Sequence, residues 1–157
     1  MKIYGLVGKS GTGKSYQAMN VCRSRNIEAI IDDGLFIYNN AVQAGHSAKR
    51  DENKMTAIKT AIFQNADERA EVADTIKKVA PESILVLGTS EGMIEKICSR
   101  LGLPEVSEMI HIEDIVSAKD IKKALEQRRE KGKHVIPVPT FEIKNQFSGY
   151  FLKPLNI

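Results

Sequence analysis

Short apolar runs alternate with amphipathic stretches along this chain, and the rhythm predicts its elements. Lys2–Val7 (KIYGLV) reads as a strand that runs into a glycine-rich loop. Residues 16–25 read as a helix, and residues 27–31 (IEAII) as a second strand ending in Asp32-Asp33-Gly34. Leu35–Tyr38 and residues 41–43 flank Asn39-Asn40. Asparagine tolerates the left-handed backbone of a tight turn, so a small β-hairpin is expected there. Residues 45–53 (GHSAKRDEN) form a polar loop. Met55, Ile58, Ala61 and Ile62 keep helical spacing, as do Val72, Ile76 and Val79, and Pro81 closes the second of these helices. Residues 83–87 (SILVL) are continuously apolar, as in a parallel strand covered on both faces. Met93, Ile94, Ile97, Cys98 and Leu101 mark a further helix, stopped by Gly102 and Pro104. Residues 109–112 (MIHI) give a fourth strand and residues 134–138 (HVIPV) a fifth. Between them Ser117 caps a charged helix to Lys131, with Gly132 just past its end.

Strands alternating with helices predict an α/β protein. The expected fold is a three-layer α/β/α sandwich on a mainly parallel five-stranded sheet, with a small hairpin inserted after strand 2. Residues 1–140 form one domain in this reading. Residues 141–157 lose the periodicity and carry Phe141, Phe147, Tyr150 and Phe151, so they read as a sheet cover or a linker. With 157 residues, 42% of them hydrophobic, the chain can build a core without disulfide or metal staples.

Charge and cysteine usage narrow the classes. Lys plus Arg is 23 against 20 for Asp plus Glu, and a net charge of +3 is too small to argue for nucleic acid. No apolar run approaches the roughly 20 residues of a membrane span. Cys22 and Cys98 lie far apart, and the three histidines show no metal-ligand spacing with them. Two reduced, buried thiols and an opening strand in place of a charged leader point to the cytoplasm.

One motif is specific. Gly8-Lys9-Ser10-Gly11-Thr12-Gly13-Lys14-Ser15 satisfies G-x-x-x-x-G-K-[ST], which average residue frequencies would produce by accident in about 0.5% of chains this size. It follows a strand and opens a helix, the context its chemistry requires. Gly8, Gly11 and Gly13 let backbone N–H groups turn inward as an anion nest. The helix N-terminus adds its partial positive charge.

Over residues 2–25 the sequence resembles the P-loop NTPase superfamily. The resemblance implies ATP or GTP as ligand, held with Mg²⁺ by residues 8–15 and the adjoining Tyr16. Lys14 then reaches the β- and γ-phosphates, and the Ser15 hydroxyl is a Mg²⁺ ligand. Lys9 stands where plasmid-partitioning and septum-positioning ATPases carry a lysine that reaches the partner subunit's phosphate. A solvated loop lysine is its plainer reading.

The chain also departs from the superfamily pattern. A Walker B aspartate commonly ends an apolar strand, but residues 83–87 run into Gly88. Glu91 follows closely, where an acid suits the helix dipole. Acids do end the second strand, and Asp32-Asp33 resembles the small-molecule and nucleotide kinases of the superfamily. The resemblance implies catalytic roles for Lys14, Asp32 and Asp33, with Ser15 and Asp33 at the metal. The competing reading is that Asp33-Gly34 simply makes a turn.

Ligands of open parallel sheets sit at the carboxyl ends of the strands. The glycine-rich loop, Asp32-Asp33, Gly88-Thr89-Ser90, Glu113-Asp114 and residues 137–140 all fall there. Many superfamily members hold adenine after the fifth strand, which makes residues 137–140, with Pro139 and Thr140, a candidate base-binding wall, against the equal reading of its two prolines as a rigid exit from the sheet. Lys49 or Arg50 is a candidate to neutralise phosphate charge, against the plainer reading of a solvated basic loop. Residues 102–108 are too short for the arginine-bearing lid of nucleoside-monophosphate kinases. The sequence therefore predicts a Mg²⁺-dependent ATP- or GTP-binding protein, an NTP hydrolase or a phosphotransferase with a small-molecule acceptor. The alternative is a nucleotide-dependent switch that acts through a protein partner and turns over little alone.

Overall fold

Side-chain alternation along the strands decides which layer each residue joins. The computed structural model describes residues 1–9 and 11–115. Strand β1 (Lys2–Val7) sends Ile3 and Val7 into one apolar cluster and Tyr4 and Leu6 into a second. Strand β2 (Ala29–Asp32) divides Ala29 and Ile31 from Ile30 in the same way. After β3 (Leu35–Tyr38) and β4 (Ala41–Gly45), β5 (Ser83–Gly88) separates Ile84 and Val86 from Leu85 and Leu87. The two clusters are the two faces of one sheet, each removing apolar area from water at roughly 25 cal/mol per Å².

Helix α1 (Lys14–Arg25) covers the second face with Ala18 and Val21. The other face carries α3 (Ala66–Val79) through Val72 and Ile76, and α4 (Glu91–Leu101) through Ile94, Ile97, Cys98 and Leu101. The short helix α2 (Lys54–Ala61) buries Thr60 and Ala61. Its helical spacing is as expected, but Met55 and Ile58 face solvent at 64% and 49% exposure. Among the described residues no helix is long and apolar enough to cross a membrane.

The sheet corrects the expected one. It has six strands in the order β4-β3-β2-β5-β1-β6, with β6 spanning Val106–His111. The pairs β2–β5, β5–β1 and β1–β6 are parallel, whereas β2–β3 and β3–β4 are antiparallel. The sheet is mixed, and the hairpin is no insertion beside it. Turn geometry is the reason. Asp33 and Gly34 have φ of 58° and 90°, and Asn39 and Asn40 have 55° and 61°. Two positive-φ residues in succession make a turn whose twist folds a strand straight back on its predecessor. The Asp-Gly turn lays β3 against β2, and the Asn-Asn turn lays β4 against β3. The helix over residues 117–131, the strand over 134–138, the tail 141–157 and the boundary at residue 140 lie outside the described residues.

Candidate functional site

The carboxyl ends of β1, β2, β5 and β6 share one edge of the sheet, and the glycine-rich loop starts there. Val7 pairs with Gly88 on one side and with His111 on the other. Gly8 continues this registration, its N–H donating to the Gly88 carbonyl at 3.0 Å. A side chain at Gly8 would press on Ile112, whose Cγ2 lies 2.9 Å from the place a Cβ would take. Gly8 is therefore needed for close approach.

The loop closes on itself through Thr12. Its hydroxyl donates to the Lys9 carbonyl at 2.7 Å, and its own N–H reaches the same oxygen at 3.3 Å. Thr12 is buried, whereas the Lys9 residue is exposed. Gly11 and Gly13 have φ of 83° and 86°, a region closed to most side chains. Gly13 is the N-cap of α1 and offers no side-chain cap, and α1 has no acid in its first turn. Asn53, Asn65 and Ser90 do cap α2, α3 and α4 with their side chains. A helix start with neither a side-chain cap nor a first-turn acid suits an anion. Lys14 spans the loop from end to start, its Nζ donating to the Gly8 carbonyl at 3.0 Å. Tyr16 is half-buried in the same first turn. Ser10, Pro139 and Thr140 lie outside the described residues.

The two adjacent acids separate by strand parity. Asp32 is two residues past Ile30 and points to the α1 face, where its Oδ2 accepts from the Ser15 hydroxyl at 2.8 Å. It is the one buried acid among the described residues, 6% exposed. Asp33 turns away toward the loop after β4. Its Oδ2 accepts from the Ser47 hydroxyl at 2.9 Å, and its carbonyl accepts from the Ala48 N–H at 2.8 Å. The structure thus brings Asp32 to Ser15, and gives Asp33 both the turn and a loop contact.

Sequence reasoning passed over several residues at this edge. Ser47 is brought in by loop closure, which no spacing rule reports. His46 sits between two carboxylates, Asp51 at 3.1 Å and Glu68 at 2.6 Å. His111, at the end of β6, meets Glu91 of α4 at 2.6 Å, and Glu113 lies 3.9 Å from its other nitrogen. Glu91 therefore has a partner beyond the helix dipole. The short 3-10 turn Ala48–Arg50 carries the basic loop. Among the described residues no three His, Cys, Asp or Glu side chains converge as a metal cage.

No family model, curated protein or solved structure matches this chain.

Proposed function

We propose that this chain binds ATP or GTP with Mg²⁺ on residues 8–15, and works as an NTP hydrolase or a small-molecule phosphotransferase of the P-loop kind. The Ser15–Asp32 contact carries the reading: a hydroxyl in the first turn of a helix with no side-chain cap is held by a buried carboxylate. The dipole of α1 suits the phosphates. Lys14 suits their outer oxygens as a mobile point charge. Ser15 would ligate the metal, and Asp32 would accept from the metal's water shell. Mg²⁺ is bound by one or two carboxylates plus phosphate oxygens and waters, so the lack of an all-protein cage among the described residues fits it. When bound, the ion withdraws charge from the phosphates. The protein's own share is to hold the phosphates against the helix end and fix the metal side with one carboxylate.

The second reading, a switch with little turnover alone, is favoured by β5 ending in Gly88 with no acid there. One assay separates the two. The chain is incubated with Mg-ATP, with and without a set of small hydroxyl and phosphate acceptors, and phosphate release and transfer are measured. Turnover alone supports the hydrolase, and turnover that needs an acceptor supports the transferase. Binding without turnover supports the switch, and no binding of ATP or GTP removes the nucleotide reading.

A further inference from the structure

The loop from His46 to Asp51 is fastened at both ends by one imidazole. His46 Nε2 lies 3.1 Å from Asp51 Oδ1, and Nδ1 lies 2.6 Å from Glu68 Oε2 in the first turn of α3. The Thr60 hydroxyl of α2 stands 3.5 Å from Nε2. A neutral imidazole has one donor and an imidazolium has two. With a carboxylate on each nitrogen, only the charged ring satisfies both contacts.

We infer that His46 is a pH-operated clamp on this loop, and that through Ser47 and Asp33 it sets the acidic edge beside Ser15. Its influence on ligand rests on the nucleotide reading above; the clamp itself does not. The linkage is short. The clamped loop holds the Ser47 hydroxyl and the Ala48 N–H on Asp33, and Asp33 follows Asp32 directly.

Asp51 and Glu68 are the charged groups that act on the ring. Partial burial draws its pKa down, but the Asp51 hydrogen bond and the charges of Glu68 and Asp51 outweigh that, so it rises above the ordinary 6.5. On the other side, the Thr60 hydroxyl and then His46 hold the Asp51 carboxyl below its ordinary value, against the opposing effect of burial. A raised histidine contributes stability that is complete below its unfolded pKa and lost as pH climbs through the folded one. A depressed carboxylate contributes above its unfolded pKa and loses that as pH falls through the folded one. The clamp is tight in mild acid and opens as pH rises past the raised histidine value.

The test uses ligand-free wild-type chain, following the His46 ring by ¹⁵N NMR and Ala48 amide exchange, corrected for intrinsic rate, from about pH 6 to about pH 9. Both ring nitrogens should stay protonated above the ordinary midpoint. Ala48 protection should fall by about five-fold or more as the ring titrates, the low end of coupling between sites. Glu68→Gln should lower the ring midpoint, and His46→Gln should flatten the Ala48 profile. Mg-ATP affinity should follow the same curve. A ring that titrates at or below its ordinary value, or Ala48 protection indifferent to it, overturns the clamp. Absence of any Mg-ATP binding overturns the nucleotide reading instead, and the ring and amide data still decide the clamp.

Discussion

Ser15 and Asp32, 17 residues apart in sequence, meet at 2.8 Å across the end of β5. Ser15 belongs to the helix after β1 and Asp32 ends β2, while β5 lies between those strands in the sheet. β5 ends in Gly88 with no acid, and the carboxylate that meets Ser15 comes from the next strand over. Helix α1 makes this possible, because it crosses from β1 toward β2 over β5 and carries Ser15 in its first turn.

Asp32→Asn keeps the size of the side chain and an acceptor for the Ser15 hydroxyl, and removes the charge. Partners in the outer shell of a metal are worth about 10–100-fold in metal affinity. Mg²⁺-dependent ATP binding should weaken by about that factor, with metal-free binding and thermal midpoint nearly unchanged. Calorimetry across a magnesium series checks this, and an unaltered magnesium dependence would take the metal role away from Asp32.

On the proposed nucleotide reading, Lys14→Ala removes a charge-assisted phosphate contact. Affinity for ATP should drop by about 10²-fold or more, since each 1.4 kcal/mol is tenfold. Stability should hardly move, because Lys14 is half-buried at a helix start and lies in neither apolar cluster. Equal affinities of variant and wild type would refute the phosphate role of the loop.

Phe36→Ala tests whether the hairpin is part of the sheet. Phe36 is fully buried on β3, in the cluster under α3 and α4. Truncation of a core phenylalanine costs about 3–5 kcal/mol. Urea unfolding should show a loss in that range. A loss below about 1 kcal/mol would mean a peripheral hairpin and would contradict the six-stranded sheet.

The sequence was readable where geometry leaves little choice. The glycine-rich loop is legible because Gly8 answers to backbone space and Gly11 and Gly13 to positive φ, and Lys14 and Ser15 to a fixed helix start. The Asn39-Asn40 turn was legible for the same reason. Sheet membership was not, because Asp33-Gly34 announces a turn without saying which strand the returning chain will pair with. Met55 and Ile58 keep a helical stripe that nothing covers among the described residues, so spacing alone did not tell which face is buried. The His46–Glu68 contact joins two segments that only the packing of β4 near α3 brings together.

Both cysteines should be slow nucleophiles. Burial pushes the Cys22 thiol up to about 12, and burial with the Glu95 charge pushes Cys98 up to about 11. Only the thiolate reacts, so from its ordinary 9.0 Cys98 loses about 10²-fold in thiolate at neutral pH. Iodoacetamide labelling, followed by intact mass, should be at least that much slower in the native chain than in urea. Rapid native labelling of either thiol would contradict its packing.

Asp33 tests whether the two acids divide their work. Its φ is 58°, a region that asparagine and aspartate visit more readily than other side-chain-bearing residues. Its Oδ2 takes the Ser47 hydroxyl at 2.9 Å, and its carbonyl takes the Ala48 N–H at 2.8 Å. Asp33→Asn keeps both the turn preference and an acceptor, so its thermal midpoint should stay close to wild type. Asp33→Ala keeps neither, and strain at a positive φ with a lost hydrogen bond should cost about 1–3 kcal/mol. The Ala48 amide should then exchange faster, because its acceptor sits on the loosened turn. Magnesium dependence separates this residue from its neighbour. If Asp33 anchors the loop and Asp32 serves the metal, Asp33→Asn should bind Mg-ATP much as wild type does, while Asp32→Asn loses affinity. If Asp33 belongs to the metal, Asp33→Asn should lose magnesium dependence at least as strongly. The assignment of Asp32 to the metal's water shell would then be wrong.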